Sequence, residues 1–112
     1  MLAADASFHE HMDRLFPHRP GMKDHFAADD ALRERQAKFN ATLQAGYFLL
    51  GVRAMGLAAG PMAGFDAPGV DKEFFADGTW SSILVVNIGR PGPEAWRDRL
   101  PRLDYHEAVR LA

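Results

Sequence analysis

Ala41-Thr42-Leu43-Gln44-Ala45-Gly46-Tyr47-Phe48-Leu49-Leu50-Gly51-Val52-Arg53-Ala54-Met55-Gly56-Leu57-Ala58-Ala59 is the most apolar window of the chain. Its length invites a membrane reading, but Gln44, Arg53 and the glycines Gly46, Gly51 and Gly56 interrupt it, so it reads as a buried helix. Upstream, Asp29 or Asp30 is placed to open that helix, because a short carboxylate accepts the unpaired amide hydrogens of a first turn. Leu32, Gln36, Phe39, Leu43, Gly46, Tyr47, Leu50 and Ala54 mark one face, and beyond Ala41 apolar side chains spread around much of the circumference. Burial on several sides is expected, from a partner subunit or from protein not in this chain.

Further toward the N-terminus, Phe8, Met12, Leu15 and Phe16 recur at helical spacing until Pro17 and Pro20 stop the pattern, which predicts a short amphipathic helix. A brief segment around Met22 and Phe26 follows. On the other side of the window, the glycines and proline of Leu57-Ala58-Ala59-Gly60-Pro61-Met62-Ala63-Gly64-Phe65 predict a shaped loop rather than a regular element. Asp66 is placed to cap a short helix reaching Phe74 or Phe75, and Asp77-Gly78 is a turn signal. Ile83 to Ile88 is nearly continuous, apolar and β-branched, the pattern of a strand covered on both faces and the one convincing strand. After the loop Gly89-Arg90-Pro91-Gly92-Pro93, Asp104 with Glu107 three residues on resembles a capping box opening a last helix over Tyr105 to Leu111.

The 112 residues, 47% hydrophobic and 25% charged, fit one globular domain burying somewhat more than about 60% of its unfolded surface. With no cysteine, disulfides, thiolate metal sites and cysteine nucleophiles are excluded, and a reducing compartment, the cytoplasm, is expected. A formal charge of −2 without a basic block argues against a nucleic-acid partner. Met1 to Leu15 carries Asp5, Glu10 and Asp13 and lacks the basic start and long apolar run of an export signal. No membrane association is expected.

Chemistry sought from the residues alone returns mostly negatives: no nucleophile-elbow serine, no phosphate loop, no zinc helix. His9-Glu10-His11 suggests a metal, but residues two apart point to different sides of a helix, so a solvated face is expected and no metal ligand is assigned. His18, His25 and His106 are isolated. Gly56, Gly60 and Gly64 fall four apart, yet Pro61 breaks any single helix that would make them a packing motif, which leaves a loop with unusual backbone angles.

Gly46-Tyr47-Phe48-Leu49-Leu50, Arg53-Ala54-Met55-Gly56-Leu57, Gly60-Pro61-Met62-Ala63-Gly64-Phe65-Asp66, Val70-Asp71, Phe74-Phe75 and Arg99-Leu100-Pro101-Arg102-Leu103 occur in that order. Together they resemble the C-terminal part of nitroreductase-family flavoproteins, nearest to the malonic semialdehyde reductase branch. The resemblance runs from near Phe8 to the C-terminus. It implies an α+β, helix-rich fold with a long central helix and a buried strand, normally a homodimer with FMN at the interface.

It also implies an NAD(P)H-dependent oxidoreductase that passes hydride through FMN to a small acceptor, such as malonic semialdehyde, another aldehyde, a nitro compound or a quinone. The flavin performs the redox chemistry, so no residue is assigned a catalytic role. By the resemblance, Pro61, Met62, Ala63 and Gly64 lie against the flavin ring, with the Gly64 amide near N5, while Arg99 and Arg102 reach the phosphate. Many relatives have an acidic residue where this chain has Ala63, so that side-chain contact is lost. Family domains are close to twice this length, so residues 1–112 are expected to be a partial domain without the N-terminal half. That leaves a strand with no sheet of its own. A non-catalytic dimerisation or interaction module without flavin is the alternative, and a gene remnant without stable fold a third.

Overall fold

The computed structural model describes residues 1–111. Its elements, in order, are strand β1 (Leu2–Asp5), a 3-10 segment (Ala6–His11), helices α1 (Met12–Leu15), α2 (Met22–Ala27) and α3 (Asp30–Ala54), strand β2 (Ala58–Met62), helix α4 (Ala67–Phe74), strand β3 (Trp80–Gly89) and helix α5 (Tyr105–Ala108). The architecture is α+β, as expected.

The expectation of one strand without a sheet is corrected: three strands form an antiparallel sheet in the order β1-β3-β2. In β3, which is longer than Ile83 to Ile88, Leu84, Ser82, Ser81 and Trp80 pair with Leu2 to Asp5, and Gly89 to Val85 pair with Ala58 to Met62. The predicted loop over 57–65 thus holds an edge strand in its first half. Pro61 is compatible with it because an edge strand has one side with no ladder to feed. β3 is not covered on both faces, since Ile83 to Val86 are half-buried and Ile88 is exposed.

α3 begins as expected: the Asp29 carboxylate accepts from the Leu32 amide at 2.9 Å. It ends in a Schellman turn in which Leu57 N–H reaches Val52 O at 3.3 Å and Gly56 N–H reaches Arg53 O at 3.0 Å. Gly56, at φ +77°, supplies the left-handed residue that this turn requires.

The face that α3 turns to the sheet is not the one expected. Ala37 and Ala45 are buried and Ala41 half-buried, whereas Phe39, Leu43, Tyr47 and Leu50 are 53–78% exposed. Small side chains let the helix sit close to β1 and β3, and the large ones are left outside. The expectation of about 60% burial is likewise corrected. Ala4, Met12, Phe26, Ala37 and Ala45 are the buried apolar residues among those described, and the chain exposes 9118 Å². A folded monomer of 12.4 kDa exposes about 6,100 Å².

The short first helix is split between the 3-10 segment and α1, with Phe8 edge-on to Phe26 at 5.1 Å between centroids. At the other end the Asp104 amide donates to Glu107 Oε2 at 2.8 Å. α5 nevertheless stops at Ala108 rather than Leu111, because Tyr105, Val109 and Leu111 are exposed and a helix without a packed face is marginal. No helix among the described residues is long and apolar enough to cross a membrane.

Candidate functional site

Pro61 and Met62 close β2, opposite Val86 and Val85 of β3, and the chain then leaves the sheet through Ala63 and Gly64 to the cap of α4. All four residues are exposed. The expectation of unusual backbone angles does not hold at Gly64, which lies outside the left-handed region, and a Cβ built there meets nothing within 4 Å. Its missing side chain answers no need of this chain's own packing, and its outer side is open to an approaching flat group.

The loop is fixed at its far end by α4. Asp66 accepts from the Gly69 amide at 3.1 Å, with Pro68 in the first turn, where a proline has no intrahelical hydrogen bond to lose. Five residues on from Asp66, Asp71 accepts from the Ser82 amide of β3 at 2.8 Å. Ser82 is buried, and its hydroxyl has no hydrogen bond of good geometry. The Asp71 carboxyl is held below the ordinary carboxylate range, first by that nearby hydroxyl and then by the amide, with Lys38 adding attraction and partial burial opposing. The amide bond is the firm contact, since its geometry is set by the backbone.

The arginines are placed differently. Arg99 and Arg102 are exposed in a segment without regular secondary structure, and Arg102 donates to its own neighbours' carbonyls, Leu100 O at 3.0 Å and Pro101 O at 3.1 Å. No hydrogen bond or ion pair joins either to residues 61–64 among the described residues. What ties their segment down is Arg53, whose guanidinium lies 4.9 Å from the centre of the Trp96 ring and donates to Leu57 O at 3.0 Å. Sequence reasoning missed Arg53–Trp96 and Asp71–Ser82. Both pairs are distant in sequence, and the only signal was a cation in the last turn of a helix.

A concavity of about 500 Å³ between α3, β1 and β3 is lined by Phe8, Asn40, Gln44, Phe48 and Trp80 among others and contains none of the predicted site residues. It marks where the sheet and helix lack cover, and it gathers no reactive constellation. No cluster of metal-ligating side chains occurs among the described residues.

The structure of a provisionally named nitroreductase from Bacillus subtilis superposes with a TM-score of 0.79 over 98% of this chain and 61% of that one, at 22% identity. The fold is nitroreductase-like. A Streptomyces coelicolor protein provisionally named NADH dehydrogenase/NAD(P)H nitroreductase is 60% identical over 110 residues, covering 97% of this chain and 54% of the relative. A similarly named Leptothrix cholodnii protein is 46% identical over 96% of this chain and 55% of its own length. The chain thus spans about half the length of these nitroreductase-named relatives, and the likenesses support the nitroreductase family. No protein-family model matches the chain.

With the flavin that the resemblance implies, the fit is good at one end of the site and incomplete at the other. The bare outer side of Gly64 suits a ring laid against the backbone. The guanidinium groups suit a phosphate in chemistry, but no contact brings them to the loop.

Proposed function

We propose that this chain is part of an FMN-dependent NAD(P)H oxidoreductase of the nitroreductase family, on its malonic semialdehyde reductase-like branch. The observation that carries the reading is the exposed loop at the end of β2, with a glycine whose missing side chain serves nothing inside the chain. Pro61, Met62, Ala63 and Gly64 hold the flavin ring on this reading, and the Gly64 amide donates toward its N5. Arg99 and Arg102 serve the phosphate once their segment is folded over it. When bound, FMN supplies the hydride chemistry between the nicotinamide and a small acceptor: malonic semialdehyde, another aldehyde, a nitro compound or a quinone. The chain's part is to orient the ring and exclude water on one side. The enzyme works as a homodimer in the cytoplasm.

A second reading, a dimerisation or interaction module without flavin, is favoured by the exposed Phe39, Leu43, Tyr47 and Leu50 on α3. One experiment separates the two. The chain is mixed with the part of the Streptomyces coelicolor relative that it does not match, and FMN fluorescence and NAD(P)H oxidation with a quinone acceptor are followed. Flavin uptake with flavin-dependent turnover is expected. A stable complex that takes up no FMN would leave the interaction module standing. For the chain alone, FMN binding weaker than micromolar is expected, since the arginines are not gathered at the loop; a submicromolar constant, about −8 kcal/mol or better, would contradict this.

A further inference from the structure

The segment from Ala63 to Asp66 is tied at both ends to a single strand. Upstream, Met62 is paired with Val85 of β3. Downstream, α4 starts on the Asp66 cap, and Asp71 reaches back to the Ser82 amide, three residues before Val85 on the same strand. The two anchors are therefore roughly 10 Å apart along β3. β2 stops pairing at Val85, so beyond that point the returning chain is fixed to the strand by Asp71 and, after α4, by Phe75 stacked on Trp80 at 6.3 Å between ring centres. Asp71 is the nearer of the two to the loop.

The downstream anchor is the stronger kind of contact. A carboxylate accepting from an amide is charge-assisted, and Ser82 is nine-tenths buried, so water competes poorly for its N–H. A short helix held at its start by the Asp66 cap, in its middle by this bond and at its end by the Phe75–Trp80 stack moves as a unit with the loop in front of it. Loss of the bond leaves the loop attached at Met62 and, beyond the far end of α4, through the stack of Phe75 on Trp80.

We propose that Asp71 is a positioning residue for the Gly64 loop: its bond to Ser82 sets how the Gly64 amide is presented to the flavin. This rests on the assignment of the loop to flavin made above. Asp71 is not a catalytic residue, because it acts through α4 and the loop.

The test uses the full chain with FMN itself as the probe, comparing Asp71→Ala, Asp71→Asn and Gly64→Val by FMN titration and by amide hydrogen exchange. In Asp71→Ala, exchange at the Gly69 and Val70 amides, whose bonds to Asp66 close the loop, should rise roughly tenfold or more while the β3 amides paired with β2 keep their protection, and FMN affinity should fall roughly tenfold. Asp71→Asn keeps an oxygen acceptor and should recover most of both. The Asn variant also covers the case in which Asp71→Ala fails to fold. Unchanged loop exchange and unchanged affinity in Asp71→Ala, with binding lost in Gly64→Val, would overturn the positioning role and leave the flavin loop intact. A loosened loop with unchanged affinity in Asp71→Ala overturns the role toward flavin. Full FMN affinity in Gly64→Val would instead remove the flavin assignment, and with it the part given to Asp71.

Discussion

Gly64 and Gly56 look alike in the sequence, and the structure separates them. Gly56 holds φ +77° at the end of α3, so Gly56→Ala should cost about 1 kcal/mol or more through the backbone, leaving flavin affinity of the folded molecules intact. Gly64 has no such angle and open space beside it. Gly64→Val should therefore leave the melt nearly unchanged and, if the loop holds flavin as proposed, lower FMN affinity roughly tenfold or more, as its branched side chain would stand off the ring. Measuring both quantities on both mutants decides the matter, because a lowered melt with intact binding at Gly64 would return it to an ordinary turn residue. Asp71 adds a pH dependence. Ser82 favours its charged form in the folded chain, so the stabilisation is complete above the unfolded carboxyl's range near about pH 4. It is lost as pH falls through the lowered folded value. The melting gap between the parent chain and Asp71→Asn should be constant near neutrality and close in acid; a gap that does not change with pH would show that the carboxylate's charge is idle. Gly64 was singled out by the motif that carries the resemblance. Asp71 stood in the resemblance as part of Val70-Asp71, but its role was not legible, because its partner lies eleven positions away across a fold that no local pattern encodes.

At the scale of elements, caps were readable and faces were not. Asp29 and Asp66 stand where short carboxylates before helical text should stand, and each accepts the expected amide. Asp29→Ala should cost about 1 kcal/mol, seen as a lower melting temperature, with Asp29→Asn nearly neutral; no change in Asp29→Ala would mean that α3 is held by packing alone. β2 escaped notice because Gly60 and Pro61 are poor strand residues, and an edge position paired on one side to β3 is what admits them. α3 was misread for a different reason. Its apolar residues run around the helix, so periodicity offers two faces, and the sheet selects Ala37, Ala41 and Ala45 at four-residue spacing because they permit close approach. The larger stripe is the one left exposed.

The whole molecule is too open for its mass. Its radius of gyration is 17.8 Å, against about 13 Å for a compact chain of this length, and its surface exceeds that of a folded monomer by about 3,000 Å². That excess is of the size buried in obligate interfaces, and the exposed residues of α3 supply an apolar stripe for it, with Phe39, Leu43 and Leu50 at spacings of four and seven. Self-association is the expected consequence, with a mass near 25 kDa, twice the 12.4 kDa of one chain, by light scattering at tens of micromolar. Leu50 makes the sharper test because it is 67% exposed in the single chain. If the stripe were solvated, Leu50→Glu would be nearly silent, since a glutamate there stays in water. If a second copy covers it, the same change buries an unpaired carboxylate at a cost of several kcal/mol. The dimer should then fall apart, and the melt should lose its dependence on protein concentration. A parent chain that is monomeric at tens of micromolar, or a Leu50→Glu variant that remains a dimer, would show that α3 is not the surface through which copies meet.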